Sequence, residues 1–170
     1  MHGYSNRGTA VYADGDMVAT GSKPAEVRLD DGTAVRLFAE ESAEIYFTDY
    51  GEARLSNGRE RIELDPVFLQ TVIIDAIHPM KVFVQVEGDC LGVYVTNKTS
   101  TGFDVIELQA GSSNAPFSYR VVCKRKYYED MRLATPEEGA NYTNRMIEAV
   151  WPDVIATREA ERERMGPAEK

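Results

Sequence analysis

The residues that could do chemistry in this chain are few and scattered. His2 lies at the terminus, and His78 precedes Pro79 in a loop that leads into an apolar-alternating segment. His78 therefore reads as a loop residue rather than a general base, which would need a partner in motif context. No G-x-S-x-G, H-E-x-x-H, P-loop or G-x-G-x-x-G run occurs, so nucleophilic, metallo- and nucleotide chemistry have no local signature. Cys90 and Cys123 lack metal-ligand spacing and read as buried free thiols rather than a bridge. Asp14 and Asp16 flank Gly15 without the alternating oxygens and closing glutamate of a calcium loop, so they read as turn residues. No cofactor and no metal are expected. A hydrolase of unfamiliar geometry is the least supported alternative.

One cluster departs from the acidic balance. Arg120, Lys124, Arg125 and Lys126 are followed directly by Tyr127 and Tyr128. On a strand, Arg120 and Lys124 share a face opposite Tyr119, Val121 and Cys123. The plainer reading is a charged strand face that discourages edge-to-edge pairing. The sharper one is an anion site for an acidic glycan, with Tyr127 and Tyr128 stacking on sugar rings. It would make the chain a carbohydrate-binding module.

The elements that must position these groups are mostly strands. From Lys81 to Lys126, apolar residues alternate in four segments. They are Val82, Val84 and Val86; Leu91, Val93 and Val95; Phe103 and Val105; and Phe117, Tyr119, Val121 and Cys123. Period two predicts strands with one buried face, and the turns at Glu87–Asp89, Asn97–Gly102 and Gly111–Asn114 predict a four-stranded antiparallel meander. Ahead of it, short hairpins are expected around Ala13–Asp16, Asp30–Thr33, Thr48–Gly51 and Ser56–Gly58. Asp65-Pro66 starts a short helix with Val67, Phe68, Val72 and Ile73 on its packing side, and Thr135-Pro136-Glu137-Glu138 starts a longer one. Tyr142, Met146, Ala149 and Val150 recur there at helical spacing until Pro152 ends or kinks the helix after Trp151, and a charged helix can resume over 154–165. The expected class is mainly β, an antiparallel sandwich or barrel-like module. It divides into a Gly/Asp-rich strand region (1–40), the β module (41–133) and a helical tail (134–170).

A chain of 170 residues with 43% hydrophobic content has enough for one domain with an appendage. Its net charge of −9 argues against nucleic acid and against anionic membrane surfaces, and no apolar run is long enough to span a bilayer. No signal-peptide apolar region follows Met1, and strand-like sequence begins close behind it, as in a segment of a longer chain. The thin strands carrying Val11, Tyr12 and Val18 cannot bury enough surface alone. With Tyr142, Met146, Val150 and Trp151 of the tail helix, they are the expected contacts between subunits.

Three phrases of the chain resemble a known kind of module: Ile62–Phe68, Gly88–Lys98, and Phe117–Val122 followed by Lys124, Arg125 and Lys126. They are similar to a C-terminal β-rich module of trimeric phage tail-fibre-like and bacterial surface proteins. Ala10–Gly21 resembles the glycine-punctuated short β repeats that precede it there. The likeness covers roughly residues 10–133. It implies an intertwined homotrimer that ends or caps a fibre, on a virion or cell surface, binding a receptor or surface glycan. It implies no catalytic residues. The helix after Thr135 departs from the module.

Overall fold

The computed structural model describes residues 17–153. In chain order come strands β1 (Pro24–Arg28), β2 (Ala34–Phe38), β3 (Tyr46–Arg54) and β4 (Arg59–Glu63), then helix α1 (Pro66–Thr71). Strands β5 (Val72–Ile73), β6 (Lys81–Val86), β7 (Val93–Thr96), β8 (Gly102–Glu107) and β9 (Pro116–Arg125) follow, and helix α2 (Pro136–Val150) closes the series. The segment Ala43–Leu133 forms one compact unit, and the segments on either side of it group into another.

The unit Ala43–Leu133 is mainly β, and its two antiparallel sheets share one core. In the first sheet β9 is central, with β3 along one side and β6 and the short β5 along the other. In the second, β8 lies between β4 and β7. Alternation sends Phe117, Tyr119, Val121 and Cys123 of β9 inward, together with Val82, Val84 and Val86 of β6. Phe103 and Val105 of β8, Val93 and Val95 of β7, and Ile62 of β4 meet them from the facing sheet. Phe103 is fully buried and stands edge-on to Tyr119, with ring centroids 5.6 Å apart. Truncating such a ring costs about 3–5 kcal/mol, so this packing alone is a large share of what holds a domain of this size. The sandwich-like class expected from the alternation is the one observed. No barrel closes.

The pairing differs from a meander. Of the expected hairpins in Lys81–Lys126, only the Asn97–Gly102 turn closes one, between β7 and β8. The chain crosses from one sheet to the other after β6 and again after β8, so β6 and β9 become neighbours. Alternation defines a strand and its buried face but carries no information about its partner. Thr48–Gly51 is not a turn either, because all nine residues of β3 pair with β9 in unbroken register. Gly51 is needed within the strand because a Cβ there would fall 2.3 Å from the Tyr119 hydroxyl. Asn57 and Gly58 do form a left-handed turn, at φ 52° and 81°, but beyond the Ser56–Arg59 bridge its arms part into different sheets.

The helix signals act locally and hold. Asp65 accepts the amides of Val67 and Phe68 with Pro66 in the first turn, and Thr135 and Glu138 form a reciprocal capping box. Val67 is exposed rather than packed, and Val72 and Ile73 belong to β5. Helix α2 ends at Val150, one residue before Trp151 and two before Pro152. The Asp30–Thr33 turn joins β1 to β2 as expected. Met17, Val18 and Ala19 form no strand. Their expected partners, including Val11 and Tyr12, and the helix expected over 154–165 lie outside the described residues.

Glu107 ties the two crossovers together. Buried at the end of β8, it accepts the backbone N–H of Leu91 at 2.9 Å and of Ser113 at 2.7 Å. Those amides, Leu91 first, hold its carboxyl below the usual range against the opposing effect of burial. A depressed folded-state value stabilises fully above the ordinary value of 4.5, and that stabilisation is lost as pH falls through the lower folded value. Glu107→Gln should therefore lower the unfolding midpoint near neutrality, with the gap to wild type closing in acid. A gap that stays constant through an acid titration of the two proteins would contradict this role.

Candidate functional site

The outward face of the first sheet is built from the residues of β9 that alternate with the core set. Register places Tyr50, Arg120 and Phe83 in one row across β3, β9 and β6, and Glu52, Ser118 and Gln85 in the next. On the other side lie Thr48, Val122 and Lys81, then Tyr46 beside Lys124. With adjacent strands about 4.8 Å apart, the two outer residues of a row have Cα atoms about 10 Å apart. The first two rows line an open groove of about 650 Å³. Tyr50 is 66% exposed and Phe83 58% exposed, so two aromatic rings stand in solvent on either side of a half-buried arginine. The Arg120 guanidinium carbon lies 5.7 Å from the centre of the Tyr50 ring.

The cations beyond Arg120 are arranged differently. Lys81 Nζ sits 4.0 Å from the Tyr46 ring centre and donates to its hydroxyl at 2.6 Å. Lys124 Nζ approaches the same ring at 5.2 Å and the Glu44 carboxylate at 3.3 Å. Glu44 also receives the Tyr46 hydroxyl and pairs with Arg132. Burial disfavours its charge, yet Lys124 and then Arg132 outweigh that and hold the carboxyl below the usual range. Lys124 is thus committed to a structural network.

The two tyrosines expected to stack on sugars separate. Tyr128 is buried, with the Arg125 guanidinium 4.5 Å from its ring centre and 5.1 Å from that of Phe47. It offers no face to a ligand, because the chain turns back after β9 and packs that ring inward. Tyr127 is exposed, but sits at φ 71° in the turn beyond β9, away from the groove lining, with Lys126 over its ring. Of Arg120, Lys124, Tyr127 and Tyr128, only Arg120 lines the groove. Among the expected subunit contacts, Val18, Val150 and Trp151 are exposed, Tyr142 is half-buried, and Met146 is buried along with Ile147 and Thr143. Burial removes Met146 from any surface role, since its position three residues after Thr143 puts it on the covered side of α2.

Tyr50 and Phe83 had a signal that pointed elsewhere. Asp49, Tyr50 and Gly51 look like a turn, and Phe83 sits between valines that mark the core face. An aromatic residue at the polar phase of an amphipathic strand is the feature that would have found it.

Among the described residues, His78 is occupied and Cys123 is insulated. His78 Nδ1 lies 3.2 Å from Asp75 and its Nε2 lies 3.5 Å from Asp130, a clasp between two loops. Among the described residues, no group of three or more His, Cys, Asp or Glu is placed to hold a metal ion, and no helix is long and apolar enough to cross a membrane. The sequence matches no protein-family model and no curated protein. Both cysteines are free, and burial pushes the Cys123 thiol up to about 11. A thiol so shifted is protonated at neutral pH and is a poor nucleophile. In a Cys90→Ser background, thiol labelling near neutral pH should therefore wait for unfolding. Rapid labelling of the native protein would show that Cys123 is accessible.

Proposed function

We propose that this chain is a non-catalytic attachment module that holds a saccharide on the outer face of the sheet formed by β3, β9 and β6. The row Tyr50, Arg120 and Phe83 carries this reading. Strand β9 is hydrogen-bonded on both sides, so at its outer face it offers side chains rather than free backbone groups. Exposed ring faces attract the polarised C–H groups of a sugar ring. Ser118, Gln85, Glu52 and Arg120 offer the donors and acceptors that an array of hydroxyls requires. The saccharide reading of Arg120 is thereby kept, with its aromatic partners moved from Tyr127 and Tyr128 to Tyr50 and Phe83. Screening the full chain on a glycan array, followed by calorimetry, tests it. Tyr50→Ala and Phe83→Ala should each weaken binding roughly 2- to 12-fold, with no change in unfolding midpoint because both rings are exposed. A silent array would end the saccharide reading.

A second reading concerns self-association and rests on the β1–β2 hairpin. Ala25 pairs with Leu37 and Val27 with Val35, giving the hairpin one apolar face, and Val27, Leu29, Leu37 and Phe38 are exposed. An isolated two-stranded hairpin is marginal in water, and an uncovered apolar face favours a partner. We propose that copies of this chain supply that partner. Together with the likeness to fibre modules, this favours a homotrimer displayed on a virion or cell surface. Light scattering should give a mass above the monomer that falls in a Val27→Ser/Leu37→Ser variant. A clean monomer at micromolar concentration would sink this reading.

A further inference from the structure

We infer that Asp49 closes the long free edge of the first sheet, along β3, to strand addition by a second copy of this chain or by an extended peptide. Among the described residues β3 pairs with β9 alone, which leaves its other side as an edge of the sheet. Bonds from the Leu55 amide to the Ala115 carbonyl and from the Arg125 amide to the Ile45 carbonyl fix the phase of that pairing. In an antiparallel pair the bonded residues alternate with residues whose backbone groups turn away. Thr48, Tyr50 and Glu52 therefore direct their N–H and C=O groups to the open side. A nine-residue strand without proline, carrying Tyr46, Phe47, Thr48 and Tyr50, is a ready template for another strand.

Asp49 opposes such pairing in two ways. Its Oδ1 accepts the Tyr50 N–H at 2.8 Å, so the central donor of the open side is already engaged. Its side chain also stands on the core face of β3, because Asp49 lies directly opposite the fully buried Val121. The charge acts there: burial first, and Asp49 second, push the Tyr119 hydroxyl above its ordinary range. A strand added along β3 would lay its own side chains beside the half-buried carboxylate and shut it off from water, which is costly for an ionised group. An inward-pointing charge on an edge strand is a known obstacle to edge-to-edge pairing. The opposite edge, along β6, is treated in kind. The Glu87 amide bonds the Pro116 carbonyl, so Met80 and Val86 fall in the phase that turns away from β9. Lys98 Nζ donates to the Met80 carbonyl at 3.1 Å, and Gln85 Nε2 to the Val86 carbonyl at 3.0 Å.

The test is light scattering of the full chain, read as the change in mass from wild type at equal concentration. Read this way, the outcome holds whether or not wild type associates through its β1–β2 hairpin. Asp49→Val removes both the acceptor and the charge, and its mass should grow with time. Asp49→Asn keeps an oxygen for the Tyr50 amide and should stay closer to wild type. Adding Thr48→Pro to Asp49→Val removes an edge donor that makes no bond to β9 and should bring the mass back down. Asp49→Val at the mass of wild type would overturn the inference, and so would a double variant as associated as Asp49→Val. Asp49→Asn as associated as Asp49→Val would overturn the part assigned to the bonded amide. Hydrogen exchange on the wild-type protein needs no variant, so it decides even if these substitutions fail to fold. Corrected for neighbouring side chains, the Tyr50 amide should exchange several times more slowly than those of Thr48 and Glu52 on the same edge. Equal rates for the three would contradict the closure of this edge by Asp49.

Discussion

The interaction on which the rest of the structure depends is the double pairing of β9. Its ten residues bond to β3 along one side and to β6 and β5 along the other, so one strand aligns three others. Period two then divides its side chains between two tasks. Phe117, Tyr119, Val121 and Cys123 face the second sheet and close the core, whereas Ser118, Arg120, Val122 and Lys124 face outward. The rigidity of the groove follows from this arrangement. Every side chain in its rows stands on a strand whose register is held by a filled core on the reverse side, and a slip by one residue would exchange the two faces. The ring of Tyr119 lying over Gly51 shows how closely β3 and β9 are matched.

Polar groups are used quite differently on the two outward faces. On the second sheet Arg61 pairs with Glu63 at 2.7 Å and with Asp104 at 3.2 Å, and Asn97 donates to Asp104. That face is a solvated ion network, of the kind that contributes little stability. On the first sheet, charge is interleaved with exposed aromatic rings, and the network around Glu44 holds Tyr46, Lys124 and Arg132 at one end of the face.

Much of the architecture is legible from local pattern. The alternating valines of β6, the Asp65 and Thr135 caps, the Asp30–Thr33 turn and the end of α2 ahead of Pro152 all arise from interactions within a few residues, which a single sequence displays. Readings failed where a distant segment overrode a local preference. Asp49-Tyr50-Gly51 has turn chemistry, yet pairing with Tyr119, Val121 and Arg120 keeps it extended. Asn57-Gly58 turns as its type demands, but the destination of each arm depends on which sheet can bury Leu55 on one side and Ile62 on the other. The candidate site suffered most. Arg120 was visible as a basic residue on a strand, whereas its neighbours in space come from positions 50 and 83, far from it in the chain.

The amino-acid sequence by itself determined the class of this protein, its strand phases, its helix caps and the acidic balance that argues against polyanion partners. These follow from side-chain periodicity, capping chemistry and net charge, none of which requires knowing what lies across the fold. Only the tertiary structure decided that β9 runs between β3 and β6, that Tyr128 turns inward while Lys124 is held by Glu44, and that Tyr50 and Phe83 flank Arg120. The physical reason is that strand pairing is non-local. Backbone hydrogen bonds are alike for every partner, so the choice among strands is made by the collective fit of the core.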